Sequence, residues 1–315
     1  MRRKLSFWRG AVLVLAAIAV IAGVVYATGI AGLSKRSAHI ARLSVDGVIL
    51  ENREMLKLID KISKANAVKG VILSINSPGG STTGGEALYG ALRKLADKKP
   101  LVAEIRTVGA SAGYMIALSA DHIVARYNSI TGSIGVLFQF GNISKLMETL
   151  GVQMDAVKSA PLKAEPDFYS PVSPEARAML RTLVMDSYDW FVNLVAERRG
   201  LSVEEARSRA DGKIYSGHNA LGLKLIDAIG GEDAAIAWLE TERSVAKDLP
   251  VINWSLDEDK DGLPLASSMS RSLGEGFAKG VADSLGTAKG LIPRGLTLDG
   301  LVSVWQAPEA AGENP

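Results

Sequence analysis

The chain contains no cysteine. That removes disulfide staples, thiol nucleophiles and thiolate metal sites together, and it is compatible with an oxidising compartment. Histidine is scarce as well. His39, His122 and His218 are the whole supply, so imidazole catalysis or metal ligation has few places to sit, and no metal or organic cofactor is expected. Neither sign of charge dominates: 36 Lys and Arg stand against 34 Asp and Glu, a net charge of +2. So even a balance lacks the one-sided basic field that holds nucleic acid. Phosphate loops of the GxxxxGKS/T or GxGxxG type are missing too. No self-similarity at roughly 20 to 50 residues marks a solenoid.

Charge is also absent from one continuous stretch, residues 10–34. Its core, GAVLVLAAIAVIAGVVYATGI, is long enough at ~1.5 Å per residue to cross ~30 Å of hydrocarbon. It predicts a transmembrane anchor over 10–31. Arg2, Arg3, Lys4 and Arg9 in the basic segment 1–9 place that end in the cytoplasm and the remainder across the membrane, in the periplasm of a Gram-negative cell. A cleaved signal peptide is the alternative, but such apolar regions run to about 7–15 residues before a small-x-small site, which is unclear at Val25-Tyr26-Ala27. A polar connector at 32–40 leads to a folded domain over 41–255. The segment 256–315 mixes charge, Ser and Gly and is expected to be flexible or dependent on a partner.

Within the folded domain, residues 40–50 alternate as a strand with a turn at Asp46-Gly47, and 55–65 carry apolar residues at helical spacing. The apolar run 68–75 reads as a buried strand entering a tight loop at Asn76-Ser77-Pro78-Gly79-Gly80. Helical periodicity follows over 85–96, a strand over 101–107, and then Gly109-Ala110-Ser111-Ala112-Gly113 opening a helix that runs to 120. Strand, glycine loop and helix thus occur twice, which favours an α/β domain with a largely parallel sheet and both loops at one crevice. Further strands are expected at 123–125, 132–138 and 152–157. Helices are expected over 173–199, opened by Ser173-Pro174 and stopped at Gly200, and over 203–210. The stretches 220–229 and 234–240 close the domain.

Ser111 stands among small residues at a strand-to-helix turn, where a hydroxyl projects at a helix N-terminus and nearby amides face a developing oxyanion. The same position also suits an ordinary N-cap serine. The Pro78-Gly79-Gly80 loop permits close approach of a substrate backbone, so amides at Gly80 and Ser111 form a candidate oxyanion hole; a simple turn is the other reading. A serine needs an acceptor for its proton. His39 lies in the connector, His218 in a polar loop, and His122 at the far end of the Ser111 helix, about 16 Å away; all three read as structural or solvated. A desolvated lysine can serve instead. By position alone Lys163 and Lys158, in KSAPLKAE at 158–165, both remain open, as does a surface role for either.

The succession INSPGGSTTGGE at 75–86, VGASAGYMIALSAD at 108–121, ARYNSITGSIGV at 125–136 and KSAPLKAEPDFYSPVSPEAR at 158–177 resembles the signal peptide peptidase A family. The likeness continues through DGKIYSGHNALGLKLIDAIGG at 211–231 and covers roughly residues 40–240. It implies a Clp-like, crotonase-related fold of repeated ββα units. It also implies a membrane-anchored serine endopeptidase that uses a Ser/Lys dyad on hydrophobic peptides, including released signal peptides. By that resemblance Ser111 is the nucleophile, Lys163 the general base, Ser133 the hydroxyl that orients the lysine, and Gly80 an oxyanion amide beside that of Ser111. Ala112, where many members carry a second glycine, and Ala160-Pro161 before the lysine depart from the pattern without removing a reacting group. Partners implied are hydrophobic peptides, the membrane and further copies of the chain in a ring-like homo-oligomer, with no nucleic acid. Competing functions are a crotonase-like acyl-CoA enzyme, a Ser/His/Asp peptidase and an inactive peptide-binding membrane scaffold.

Overall fold

The computed structural model describes residues 35–256, together with Leu15 and the backbone of Val302–Val304. The anchor expected at 10–31 and most of the segment 256–315 lie outside these residues. Among the described residues no helix is long and apolar enough to cross a membrane.

The described residues form a mixed α/β fold around a nine-stranded sheet. Strands β1 (His39–Ile49), β2 (Val68–Ser81) and β3 (Leu101–Ala110) are its parallel spine, joined by helices α1 (Arg53–Lys64) and α2 (Thr82–Ala96). Period-two alternation along these strands divides the apolar side chains between two faces. Leu43, Leu73, Ile75, Ala103 and Ile105 pack beneath α1 and α2, while Ile40, Ile72 and Val102 face the other way. Helix α1 opens at Asn52, whose side chain accepts from the amides of Glu54 and Met55 at 3.0 and 3.2 Å.

Past Ala110 come the short helix α3 (Ala112–Ala117), β4 (His122–Ala125) and β5 (Ile130–Gly132), then an excursion holding α4 (Ser144–Leu150). The first half of β3 pairs with β4 and its end with β5, so β3 divides the sheet where it approaches Ser111. Helix α5 (Pro174–Arg199) follows, capped by the Ser173 hydroxyl on the Ala176 amide at 3.0 Å and ended by Gly200 at φ 61°. Then come α6 (Val203–Arg209), β6 (Ile214–Ser216), α7 (Gly217–Gly222), β7 (Ala228–Ile229), α8 (Glu232–Glu242) and β8 (Val251–Trp254). Helix α8 lays Ala235 and Leu239 over Ile40, Ile72, Val102 and Val124. The last described strand, β9 (Val302–Val304), pairs with β2.

Several expectations need correction. Asn76 to Gly80 is no free loop: β2 runs on to Ser81, with Val48 and Ile49 of β1 opposite Gly79 and Gly80. Pro78, which lacks an N–H, is paired in none of the ladders, and Gly79 takes φ 117°, so the turn-forming residues become irregularities within a strand. Gly47 (φ 74°) is likewise part of a register shift in β1, not a turn that ends it. His39 opens β1, fully buried, with its Nδ1 on the Ser37 carbonyl at 2.8 Å. The strands expected at 132–138 and 152–157 are not formed: β5 ends at Gly132, and alternating residues without a partner strand cannot satisfy their backbone as sheet.

Candidate active site

Ser111 sits between β3 and α3 with φ 57° and ψ −119°, values like those at the first central position of a type II′ turn, which normally falls to glycine. The fold holds it there from several sides. The Ser111 amide donates to the Gly132 carbonyl at 2.8 Å, the Thr131 hydroxyl donates to the Gly109 carbonyl at 2.8 Å, and the Ser129 hydroxyl reaches the Ile105 carbonyl at 3.0 Å. Helix α3 is fixed as firmly. Buried Tyr114 donates to the Leu225 carbonyl at 2.7 Å, and burial drives its phenol far above the ordinary range. Arg198 of α5 donates to the carbonyls of Leu118 and Ala120 at 2.8 and 3.0 Å, just past the C-terminus of α3, where no further helical amide follows.

These contacts set the neighbourhood of the hydroxyl. Ser77 of β2 lies opposite Gly109, and a Cβ on Gly113 would come within 2.7 Å of the Ser77 carbonyl, so the end of β2 lies directly against α3. Gly80 is as tightly confined: a Cβ there would fall 1.8 Å from the Ile49 carbonyl. Ser133 follows Gly132 at the same ladder end. It is buried at φ 50°, and its amide donates to the Lys213 carbonyl at 2.7 Å.

One expected donor is lost. With its hydrogen on Gly132, the Ser111 amide cannot also face an oxyanion. The next amide, that of Ala112, stands at the first position of α3, ahead of any intrahelical acceptor. The signal for it was available in the placement of Ser111 at the N-cap.

Lys163 stands elsewhere. None of residues 135–175 is buried, and Lys163 is exposed on this arm, its amide turned back to the Ala160 carbonyl at 3.0 Å. The expectation of an amine withdrawn from water is therefore not met within the single chain. Lys158, the rival, is occupied: its Nζ meets Glu165 at 2.8 Å and Asp167 at 3.5 Å, and the hydrogen bond it donates to Glu165 holds it more firmly protonated than a free lysine. That makes Lys158 a poor proton acceptor and a staple of the arm. The histidines are engaged as well. His39 stacks on Trp254, His122 on Trp238 and His218 on Tyr127. A depression of about 970 Å³ on the sheet is lined by neither Ser111, Lys158, Lys163 nor any of the three histidines; its charges are matched as Arg42–Glu232, Arg106–Asp46 and Arg126–Glu104.

Residues 93–246 match the model of peptidase family S49. A protein of Methanocaldococcus jannaschii named as a candidate protease is 36% identical over 233 residues, covering 74% of this chain and 73% of that protein. A candidate signal peptide peptidase SppA of Enterococcus faecium is 35% identical over 235 residues, 69% of this chain and 67% of that protein. Protease 4 of Haemophilus influenzae is 30% identical over 228 residues, 69% of this chain and 37% of that longer protein. The chain is a serine peptidase. It belongs to peptidase family S49, the signal peptide peptidase A family.

Proposed function

We propose that the protein is a membrane-anchored endopeptidase in which Ser111 attacks the carbonyl of an extended hydrophobic peptide and Lys163 accepts its proton. The observation that carries this reading is the glycine-like backbone of Ser111 at a buried strand-to-helix turn, a conformation with a steric cost that a merely structural serine has no reason to bear. As Ser111 Oγ bonds to the carbonyl carbon, the oxygen gains negative charge before the amides of Gly80 and Ala112. The Lys163 ammonium then protonates the departing amine, and water releases the acyl group by the reverse sequence. Ser133, beside the Gly132 carbonyl that fixes Ser111, orients the lysine.

A lysine acts as base near neutral pH only where water is kept from its amine. The arm that carries Lys163 exposes Phe140, Leu146, Leu150, Val152, Met154 and Val157, and apolar residues gathered at the surface in this way suit an interaction surface. Further copies of the chain cover this arm in the active form, a ring-like homo-oligomer that completes the dyad. Repeated ββα units of the Clp and crotonase type form the catalytic domain, over 41–255, and the apolar segment 10–31 anchors it on the extracytoplasmic side of the membrane. Released signal peptides fit the small and apolar surroundings of Ser111, and the Enterococcus relative's name supports that substrate. The test is hydrolysis of a Leu- and Ala-rich peptide by the full chain. Ser111→Ala and Lys163→Ala each remove activity by about 10³-fold or more, whereas full activity in both variants would refute the dyad and an inactive parent would favour the scaffold.

A further inference from the structure

Ser77 is fully buried, and it stands where β2 is least secured by its ladders. The pairing with β3 ends at Ser77, opposite Gly109, and the pairing with β1 skips from Asn76 to Gly79. Pro78, between them, has no amide hydrogen to donate. Buried peptide groups that lose their ladder partners need other ones.

One side chain meets that need. The Gly79 amide donates to Ser77 Oγ at 3.1 Å, and the Ser77 hydroxyl donates to the Gly79 carbonyl at 3.4 Å. A serine hydroxyl accepts and donates at once, so a single oxygen touches both peptide units that meet at the Gly79 Cα. The second of these units carries the Gly80 amide. In a trans peptide the carbonyl oxygen and the N–H point to opposite sides, so whatever holds the Gly79 carbonyl also sets the direction of the Gly80 N–H. The sequence leaves this unit free to turn. It lies between two glycines, with no Cβ on either flank to resist rotation, and Gly79 takes φ 117°. A side chain cannot stiffen it from Gly80, where a Cβ would fall 1.8 Å from the Ile49 carbonyl.

We infer that Ser77 is a positioning residue of the oxyanion site: its hydroxyl grips Gly79 through both flanking peptide units and so keeps the Gly80 amide turned toward the carbonyl that Ser111 attacks. This rests on the proposed role of Gly80. Ser77 itself stays out of the crevice. Its carbonyl lies against α3, 2.7 Å from where a Cβ on Gly113 would stand, and full burial keeps its side chain from the substrate. At 3.4 Å the bond to the Gly79 carbonyl is long for a hydroxyl donor, so it biases the peptide unit and does not clamp it. A hydrogen bond of ordinary net strength shifts a two-state balance by about 2- to 12-fold. Complete loss of an oxyanion donor lowers kcat by about 10²–10³-fold, so partial misdirection costs a fraction of that factor.

The full chain is compared with Ser77→Ala and with Ser77→Thr, which keeps the hydroxyl. Hydrolysis of a Leu- and Ala-rich peptide gives kcat and KM. The same peptide ending in an aldehyde, which forms a tetrahedral adduct with a serine, gives an inhibition constant that reports the oxyanion site. The expected result for Ser77→Ala is a kcat about tenfold lower, a KM within about twofold of the parent, and aldehyde binding weakened in step with kcat. Ser77→Thr recovers most of the loss. A kcat within about twofold of the parent in Ser77→Ala, or a KM that changes as much as kcat, overturns the inference and leaves the hydroxyl a structural partner of Gly79. Where circular dichroism finds Ser77→Thr unfolded, Ser77→Ala decides alone. If the parent hydrolyses no peptide, the catalytic reading fails by itself and crystal structures of the parent and Ser77→Ala decide. A Gly79–Gly80 peptide turned over, or split between two orientations, in the variant upholds the positioning by Ser77; one unchanged orientation refutes it.

Discussion

Ser111 holds a backbone shape that suits glycine, with φ 57° and ψ −119°, so replacing it separates conformational cost from chemical role. Ser111→Ala keeps the misfit of a Cβ in that shape, whereas Ser111→Gly relieves it. Strain of this kind costs on the order of 1–3 kcal/mol, partly offset by the greater unfolded-state freedom of glycine. Both variants are expected to be inactive, and urea unfolding should find Ser111→Gly more stable than Ser111→Ala by about 1 kcal/mol; equal stability would show that the turn bears no strain. A second residue-scale expectation concerns His122, stacked on Trp238 with Asp227 at 3.8 Å, which is in turn paired to Arg199. Burial lowers its pKa from 6.5, with Asp227 opposing the shift. The unfolded chain therefore binds more protons than the native one just below that pH. This contribution to stability is complete above about 6.5 and is lost as pH falls through the lower native value, before the carboxylates titrate. Urea midpoints at pH 7.5 and 5.5 should differ less for His122→Gln than for the parent.

Helices announced by both a start and a stop were legible at the scale of elements. Ser173-Pro174 and Gly200 bracket α5, and the apolar spacing of 55–65 finds α1 within two residues. Elements whose state depends on a distant partner were not. Asn76 to Ser81 carries turn-forming residues yet becomes strand because β1 and β9 flank it, and 152–157 alternates like a strand but meets no partner. Helix α4, with no buried residue, has no core contact for an amphipathic pattern to report. The arm around it yields a prediction of its own. Leu150 and Val157 are exposed at 68% and 106%, so Leu150→Asp with Val157→Asp should leave circular dichroism and the unfolding midpoint unchanged. Sedimentation velocity should show the assembly broken, with activity falling alongside it. An assembly that survives both charges would remove the arm from the interface.

For the whole molecule, the two glycine loops were expected at one crevice, and the parallel spine brings the ends of β2 and β3 together beside α3. Ser111 and Gly80 could be singled out from sequence because small residues at strand ends leave a local mark, whereas Ser133 is named only through the family resemblance. Two features could not be singled out. Commitment of the Ser111 amide to Gly132 follows from the pairing of β3 with β5, and the exposure of Lys163 follows from an arm in which no residue is buried. In the proposed mechanism the serine is activated by a lysine that further copies of the chain dehydrate. Its most direct test is the rate at which a fluorophosphonate modifies the assembled full-length protein, located by mass spectrometry, in the parent and in Lys163→Ala. The account predicts a single adduct on Ser111 that forms at least 10²-fold more slowly without Lys163. Modification of another residue, or an unchanged rate in Lys163→Ala, would contradict it.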